Sequence, residues 1–366
     1  MAIRTAATAE AAVRGRSAAL PRILFPVYVL LVAYASLYPF AGWREHGLSP
    51  FDYLATPPAF VSGFDLAVNV LGYLPYGFLG VAALHPRLAH RGGFALVILS
   101  GALLSLVLEA AQSYLPTRVA ASLDVVANVS GVVAGALAAA ASLPRLRASH
   151  PLRRLRAMFA PGAVTDVGLV LIALWLFTQL NPATLLFAAG DLRDLLAAGQ
   201  GRARPPQFFV AIEALTAAAN LVTVGMLLSA LVRPGERLRS LFLVLVAVAL
   251  GVKVAAFAIV LRAHDVFDWL TPGAQHGLLA GLIVAIAAMA LPRLARLALA
   301  AVLLMAATVL VNLAPPNPYL AASLKLWQQG HFLNFNGLTR VVSSLWAFAA
   351  LGYLIALAAN RRDSAG

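Results

Sequence analysis

The stretch GFDLAVNVLGYLPYGFLGVAAL, residues 63–84, decides how the rest of the chain is read. It is an almost unbroken apolar run carrying one acid, Asp65, and one amide, Asn69. A helix of about 20 apolar residues, rising about 1.5 Å per residue, crosses a hydrocarbon core about 30 Å thick. Glycine and Pro75 lie inside the run, as membrane helices tolerate, and the apolar–polar alternation of an outer-membrane barrel strand is absent.

Runs of this kind recur along the chain, near 23–43, 63–84, 94–114, 123–143, 161–187, 208–232, 241–261, 276–291, 297–313 and 341–359. The composition agrees: of 366 residues, 61% are hydrophobic and only 11% charged, with mean hydropathy +0.86. A soluble domain carries about a quarter charged residues. The expected fold is therefore all-α: a polytopic integral membrane protein of about ten transmembrane helices. A water-soluble enzyme is excluded. The absence of cysteine excludes disulfides, thiolate metal sites and cysteine nucleophiles.

A net charge of +13 resembles a nucleic-acid signature until the charges are placed. With the N-terminus inside, 18 of the 27 lysines and arginines fall on inner segments, 8 fall on outer loops and Lys253 falls within a span. The positive-inside rule then predicts that both termini are cytoplasmic in the plasma membrane. The basicity is a topology label with some attraction to anionic headgroups, so the expected partners are membrane lipids and not nucleic acid.

The largest inner loop, 144–160, is strongly basic and divides the spans into four and six. The expected organisation is a cytoplasmic segment 1–22, a four-helix membrane domain 23–143, a basic cytoplasmic linker 144–160, a six-helix membrane domain 161–359 and a cytoplasmic tail 360–366. The run at 276–291 is short enough to read as re-entrant.

Ionisable groups within spans cost at least about 2.5–3.5 kcal/mol each at a helix centre, so their positions carry information. Asp65 and Asn69 are four apart on span two, Glu109 and Gln112 three apart on span three, and Asp124 and Asn128 four apart on span four. Each pair shares a helical face. Alternating span direction brings all six to the outer leaflet, where the short turn between spans three and four adds Arg118. An outward-opening pocket of Asp65, Asn69, Glu109, Gln112, Arg118, Asp124 and Asn128 is the economical reading. Gly131-x-x-x-Gly135, on the face of Asn128, lets a neighbouring backbone approach closely.

The order Asp65-x-x-x-Asn69, Tyr73-x-Pro75-x-Gly77, Ser105-x-x-x-Glu109-x-x-Gln112, then Arg118, Asp124, Asn128, Gly131 and Gly135 resembles the VanZ-like domain of bacterial membrane proteins. The resemblance covers residues 30–140. It implies a four-helix domain, a bacterial inner membrane and an envelope role, in a family named for lowered susceptibility to the glycopeptide teicoplanin. Family members often carry further acids between the arginine and the aspartate, where this chain has Ala121 and Leu123. That departure weakens a metal reading, and no metal or cofactor is expected.

In the second half, Glu213 and Lys253 are candidates for a buried structural ion pair, and Asp166 for a cap at a helix start. A second candidate binding group is His331, Asn334 and Asn336, in an aromatic-rich outer segment with Trp327, Phe332, Phe335 and Arg340 before the last span. Walker, dinucleotide, His-Glu-x-x-His and Gly-x-Ser-x-Gly patterns are absent. The expected function is binding of a polar envelope lipid, glycan or peptide. The alternatives are a membrane enzyme using Glu109 as general acid or base on a lipid-linked substrate, and a transporter.

Overall fold

The computed structural model describes residues 19–45, 47, 49–55, 62–85, 91–193, 204–260, 266–314 and 333–359. The regular structure of these residues is helical: α1 (Ala19–Leu37), α2 (Gly63–Leu84), α3 (Arg91–Gln112), α4 (Ser122–Ala148), α5 (His150–Ala157), α6 (Ala163–Thr178), α7 (Pro206–Leu231), α8 (Leu238–Val260), α9 (Pro272–Ala288), α10 (Arg293–Leu313) and α11 (Leu333–Ala359). Among the described residues, eight helices are long and apolar enough to cross a membrane, while α6 and α9 are apolar but shorter. The chain is a multi-pass, all-helical membrane protein. It forms two compact units, residues 1–157 with 161–167, and residues 158–160 with 168–366.

The first unit is built around the pair α2 and α4, which glycines bring together. A Cβ added at Gly77 would collide with the Val132 carbonyl, one at Gly131 with the Val70 carbonyl, and one at Gly135 with the Leu74 carbonyl. Backbone meets backbone on both sides of the crossing, which only glycine permits. Pro75 removes one amide donor from α2, and the Tyr28 hydroxyl of α1 donates to the Gly72 carbonyl at 2.7 Å in the turn that the proline opens. Below it Phe25, Tyr73, Tyr76, Val97 and Val132 fill the space between helices.

The segment 144–160, expected as a linker, is largely helical. Helix α4 continues through Pro144 to Ala148, and α5 takes up most of the remainder. Arg156 of α5 then pairs with Asp166 of α6 at 2.6 Å. Asp166 is 1% exposed, so the acid expected as a helix-start anchor holds an arginine three residues before the apolar run resumes at Phe159.

The second unit surrounds α7, whose apolar residues occupy every side and whose surface is mostly buried. A helix without a polar face belongs in the middle of its bundle. Several of its polar side chains bond close at hand, Asn220 donating to the Thr216 carbonyl, Ser229 to the Met226 carbonyl and Thr223 to the Ala219 carbonyl, while Thr216 Oγ1 and Asn220 Oδ1 are buried without a partner. On one side α9 lies against it through Gly273, Gly277 and Gly281, where an added Cβ would meet the Glu213 side chain, the Ala217 Cβ with the Ala214 carbonyl, and Leu221 with Ala218. This second small-residue stripe has no sequence signal beyond a four-residue glycine spacing inside an ordinary apolar run.

Two expected spans differ. The run 161–187 is helical only to Thr178; residues 179–189 then continue as mostly buried, non-helical chain. Apolarity there marks burial within the unit and not a longer helix, because irregular backbone at membrane depth is tolerated where protein surrounds it. The last helix begins at Leu333, eight residues before the expected 341, so Asn334, Phe335, Asn336 and Arg340 belong to a helix and not to a loop.

Candidate functional site

Three carboxylates meet at one end of the first unit. Asp65 stands in the first turn of α2, where Ser62 caps the helix by accepting the Asp65 amide at 3.3 Å. Asp124 stands in the first turn of α4, and Glu109 in the last turn of α3. Antiparallel succession places these three helix ends together. Asn69, one turn into α2, hydrogen-bonds the Asp124 carboxylate, and Asp65 and Glu109 both lie within electrostatic reach of Asp124. Glu109 is 5% exposed and accepts the Ala121 amide at 3.2 Å, across the turn joining α3 to α4.

One turn further in, Ser105 of α3 and Asn128 of α4 repeat the pairing. Asn128 Nδ2 donates to Ser105 Oγ at 2.9 Å, and Tyr73 also hydrogen-bonds Ser105. Asn128 is 4% exposed, and its Oδ1 accepts nothing. A further turn in, Tyr76 donates to Ser100 Oγ at 3.0 Å. A polar column therefore descends between α2, α3 and α4. The one-turn spacing of Asp65, Asn69 and Tyr73 on α2 and of Ser105 and Glu109 on α3 carries the signal of this column.

Arg118 and Gln112 have other duties. Arg118 Nη2 donates to the Ala35 and Tyr38 carbonyls at 3.0 and 3.2 Å, closing the C-terminus of α1, while its charge faces Glu109. Burial holds this guanidinium below its ordinary range, and Glu109 opposes that shift. Gln112 donates to the Ser36 carbonyl at 2.8 Å, so it joins α3 to α1 instead of lining the carboxylates. Tyr53, in the short 3-10 turn Asp52–Leu54, is a neighbour that no spacing signalled. Its hydroxyl donates to the Leu106 carbonyl at 3.4 Å, and burial, then the charge of Glu109, raises its pKa.

The second unit has a different polar interior. Lys253 is 1% exposed, and its ammonium donates to the Asn181 and Thr184 carbonyls at 2.7 and 2.8 Å. Glu213 lies within electrostatic reach of Lys253 and hydrogen-bonds Thr271, so the expected partners are neighbours whose closest bonds go elsewhere. Of the second candidate group, Asn336 is 4% exposed and accepts from Asn181 Nδ2 at 3.2 Å, which directs it into the unit. Asn334 lies in the first turn of α11, and His331 lies outside the described residues.

Among the described residues no group of three His, Cys, Asp or Glu is arranged to hold a metal ion. Residues 25–143 match the family model VanZ/LLP1, so the first unit carries a VanZ-like domain, and the remainder of the chain lies beyond the match. No curated protein and no solved structure matches the chain.

Proposed function

We propose that the VanZ-like domain is the binding element of a bacterial inner-membrane protein, opening outward to hold a polar cell-envelope molecule at Asp65, Glu109 and Asp124. The observation carrying this reading is the gathering of three carboxylates at one helix-bundle end, with amide and hydroxyl groups one turn beneath them. Ionisable groups at such depth are costly to keep and are retained where they serve a ligand or a proton. Envelope lipids, glycans and peptides present hydroxyl and amide donors that carboxylates and amide oxygens accept. The resemblance adds an effect on glycopeptide susceptibility as the phenotype to measure.

The test replaces Asp65→Asn, Glu109→Gln and Asp124→Asn singly, verifies membrane insertion, and measures growth inhibition by a glycopeptide antibiotic. Loss of the wild-type response in at least one variant is expected. An unchanged response in all three overturns the reading.

Glu109 favours a second reading, in which the domain is an enzyme. It is 5% exposed, receives one backbone donor, and has Tyr53 and Tyr73 within electrostatic reach. A carboxyl so enclosed suits general acid–base work on a lipid-linked substrate. Mass spectrometry of lipid-linked envelope precursors separates the readings, because an enzyme leaves a product that a binder does not.

A further inference from the structure

Helix α5, His150–Ala157, lies beyond the residues that match the family and takes no part in the carboxylate cluster. None of its eight residues is buried, although a helix shorter than about 12–15 residues is marginal in water unless something packs against it. Its residues divide into two sides. Leu152 and Leu155 are three apart and Arg156 follows Leu152 by four, so these three share one side, while His150, Arg153 and Arg154 share the other. Leu152 and Leu155 are 43% and 46% exposed, so the protein itself leaves the apolar side largely uncovered.

We infer that α5 is an interfacial helix, its leucine side entering the protein's own membrane and its arginines meeting the phosphates of anionic lipid headgroups. Its two ends fix its depth. Helix α4 has 27 residues, roughly 40 Å against a hydrocarbon core of about 30 Å, and carries Arg145 and Arg147 in its last turn. A single residue, Ser149, separates that turn from α5, which therefore starts at headgroup level. At the other end Arg156 donates to Asp166 in the first turn of the apolar helix α6, at 2.6 Å. Because Arg156 shares the side of Leu152, that bond turns the leucines toward the membrane-embedded helix and away from water. An amphipathic helix so placed buries its apolar side about 5–10 Å into the boundary between headgroups and acyl chains.

Charge decides which lipid. Arg147 bonds the His85 ring and Arg156 is committed to Asp166. Arg145, Arg153 and Arg154 are exposed, and no acid among the described residues pairs with them. A guanidinium matches the oxygens of a phosphate, and a lipid with net negative charge adds a long-range attraction that a zwitterionic one lacks. A second copy meeting this face about a two-fold axis would set these arginines against their own counterparts, which like-charge repulsion opposes.

The chain has no cysteine, so Leu155→Cys or His150→Cys places one fluorophore at a defined point on either side of α5. The full chain is reconstituted in nanodiscs of phosphatidylcholine alone or mixed equally with phosphatidylglycerol, and the probe is exposed to nitroxide-bearing lipid or to acrylamide in the water. In the mixed discs the probe at position 155 is expected to be quenched by the lipid and the probe at position 150 by acrylamide. Removing phosphatidylglycerol, or adding Arg153→Gln with Arg154→Gln, should release the probe at position 155, lowering the ratio of docked to undocked helix by about fivefold for each arginine removed. Equal access of acrylamide to both probes overturns the interfacial placement. A probe at position 155 shielded from acrylamide yet not reached by the lipid quencher overturns the lipid as occupant and leaves a second copy in its place. Docking that is the same in both kinds of disc, and that the arginine substitutions do not alter, overturns the requirement for anionic headgroups. All three substituted side chains are exposed or half-exposed, so the fold does not depend on them.

Discussion

The two units solve the same problem, polar groups inside a membrane protein, in opposite ways. In the second unit the buried polar side chains bond the protein's own irregular backbone. Lys253 holds the Asn181 and Thr184 carbonyls, Gln179 Oε1 accepts the Phe187 amide, Asn312 bonds both Gly190 and Leu192, and Ser344 donates to the Asp191 carbonyl. In the first unit the buried acids bond mainly other side chains and one turn amide: Asp124 accepts Asn69, Glu109 accepts the Ala121 amide, and Asn128 donates to Ser105 while its Oδ1 accepts nothing. A buried charge is therefore no guide to function on its own. What distinguishes the units is whether a broken chain nearby requires that charge.

Removing the charge from each unit should separate them most clearly. Lys253→Met leaves two buried carbonyls without a donor and Glu213 without its nearby cation, so it should destabilise the protein by about 3–5 kcal/mol. Unfolding of the purified protein in detergent with increasing dodecyl sulfate measures this. A loss below about 1 kcal/mol would erase the contrast. Arg118→Ala tests a cation of the first unit that serves backbone, at the end of α1, and should cost about 2 kcal/mol by the same assay.

The glycine crossings occur in both units and should respond alike. Gly135→Ala in α4 and Gly277→Ala in α9 each place a Cβ against backbone of the neighbouring helix, and should cost about 1–3 kcal/mol. Gly251→Ala in α8 meets nothing within 4 Å and should instead gain up to about 1 kcal/mol from helix propensity. If all three shifted stability in the same direction, close packing would not be what holds these glycines in place. The smallest effect on stability belongs to Asp124→Asn, which removes an acid placed near both Asp65 and Glu109 and should change unfolding by less than about 1 kcal/mol. A loss of 3 kcal/mol or more would make the acids of the first unit as structural as Lys253.

Much of the first unit was legible in its sequence. Asp65 and Asn69, or Asp124 and Asn128, are four residues apart, and a helical face is a local property that spacing reveals. The reach of Gln112 to Ser36 and of Arg118 to Ala35 and Tyr38 was not legible, because each partner is a backbone carbonyl at the end of α1 and carries no side-chain signature. In the second unit the apolar run through Phe187 read as continuous helix, and the polar residues that pin its non-helical part were scattered far along the chain. Lys253 lies 72 residues from Asn181, and Asn181 lies 155 residues from Asn336.

The sequence by itself determined the membrane fold class, the succession of apolar helices and the shared faces of the first three polar pairs, because each depends on composition or on the 3.6-residue period of one helix. Only the tertiary structure decided what each buried polar group is bonded to. The same lysine or asparagine pins a broken backbone or bonds a neighbouring side chain according to which carbonyls and hydroxyls other elements bring within about 3 Å of it.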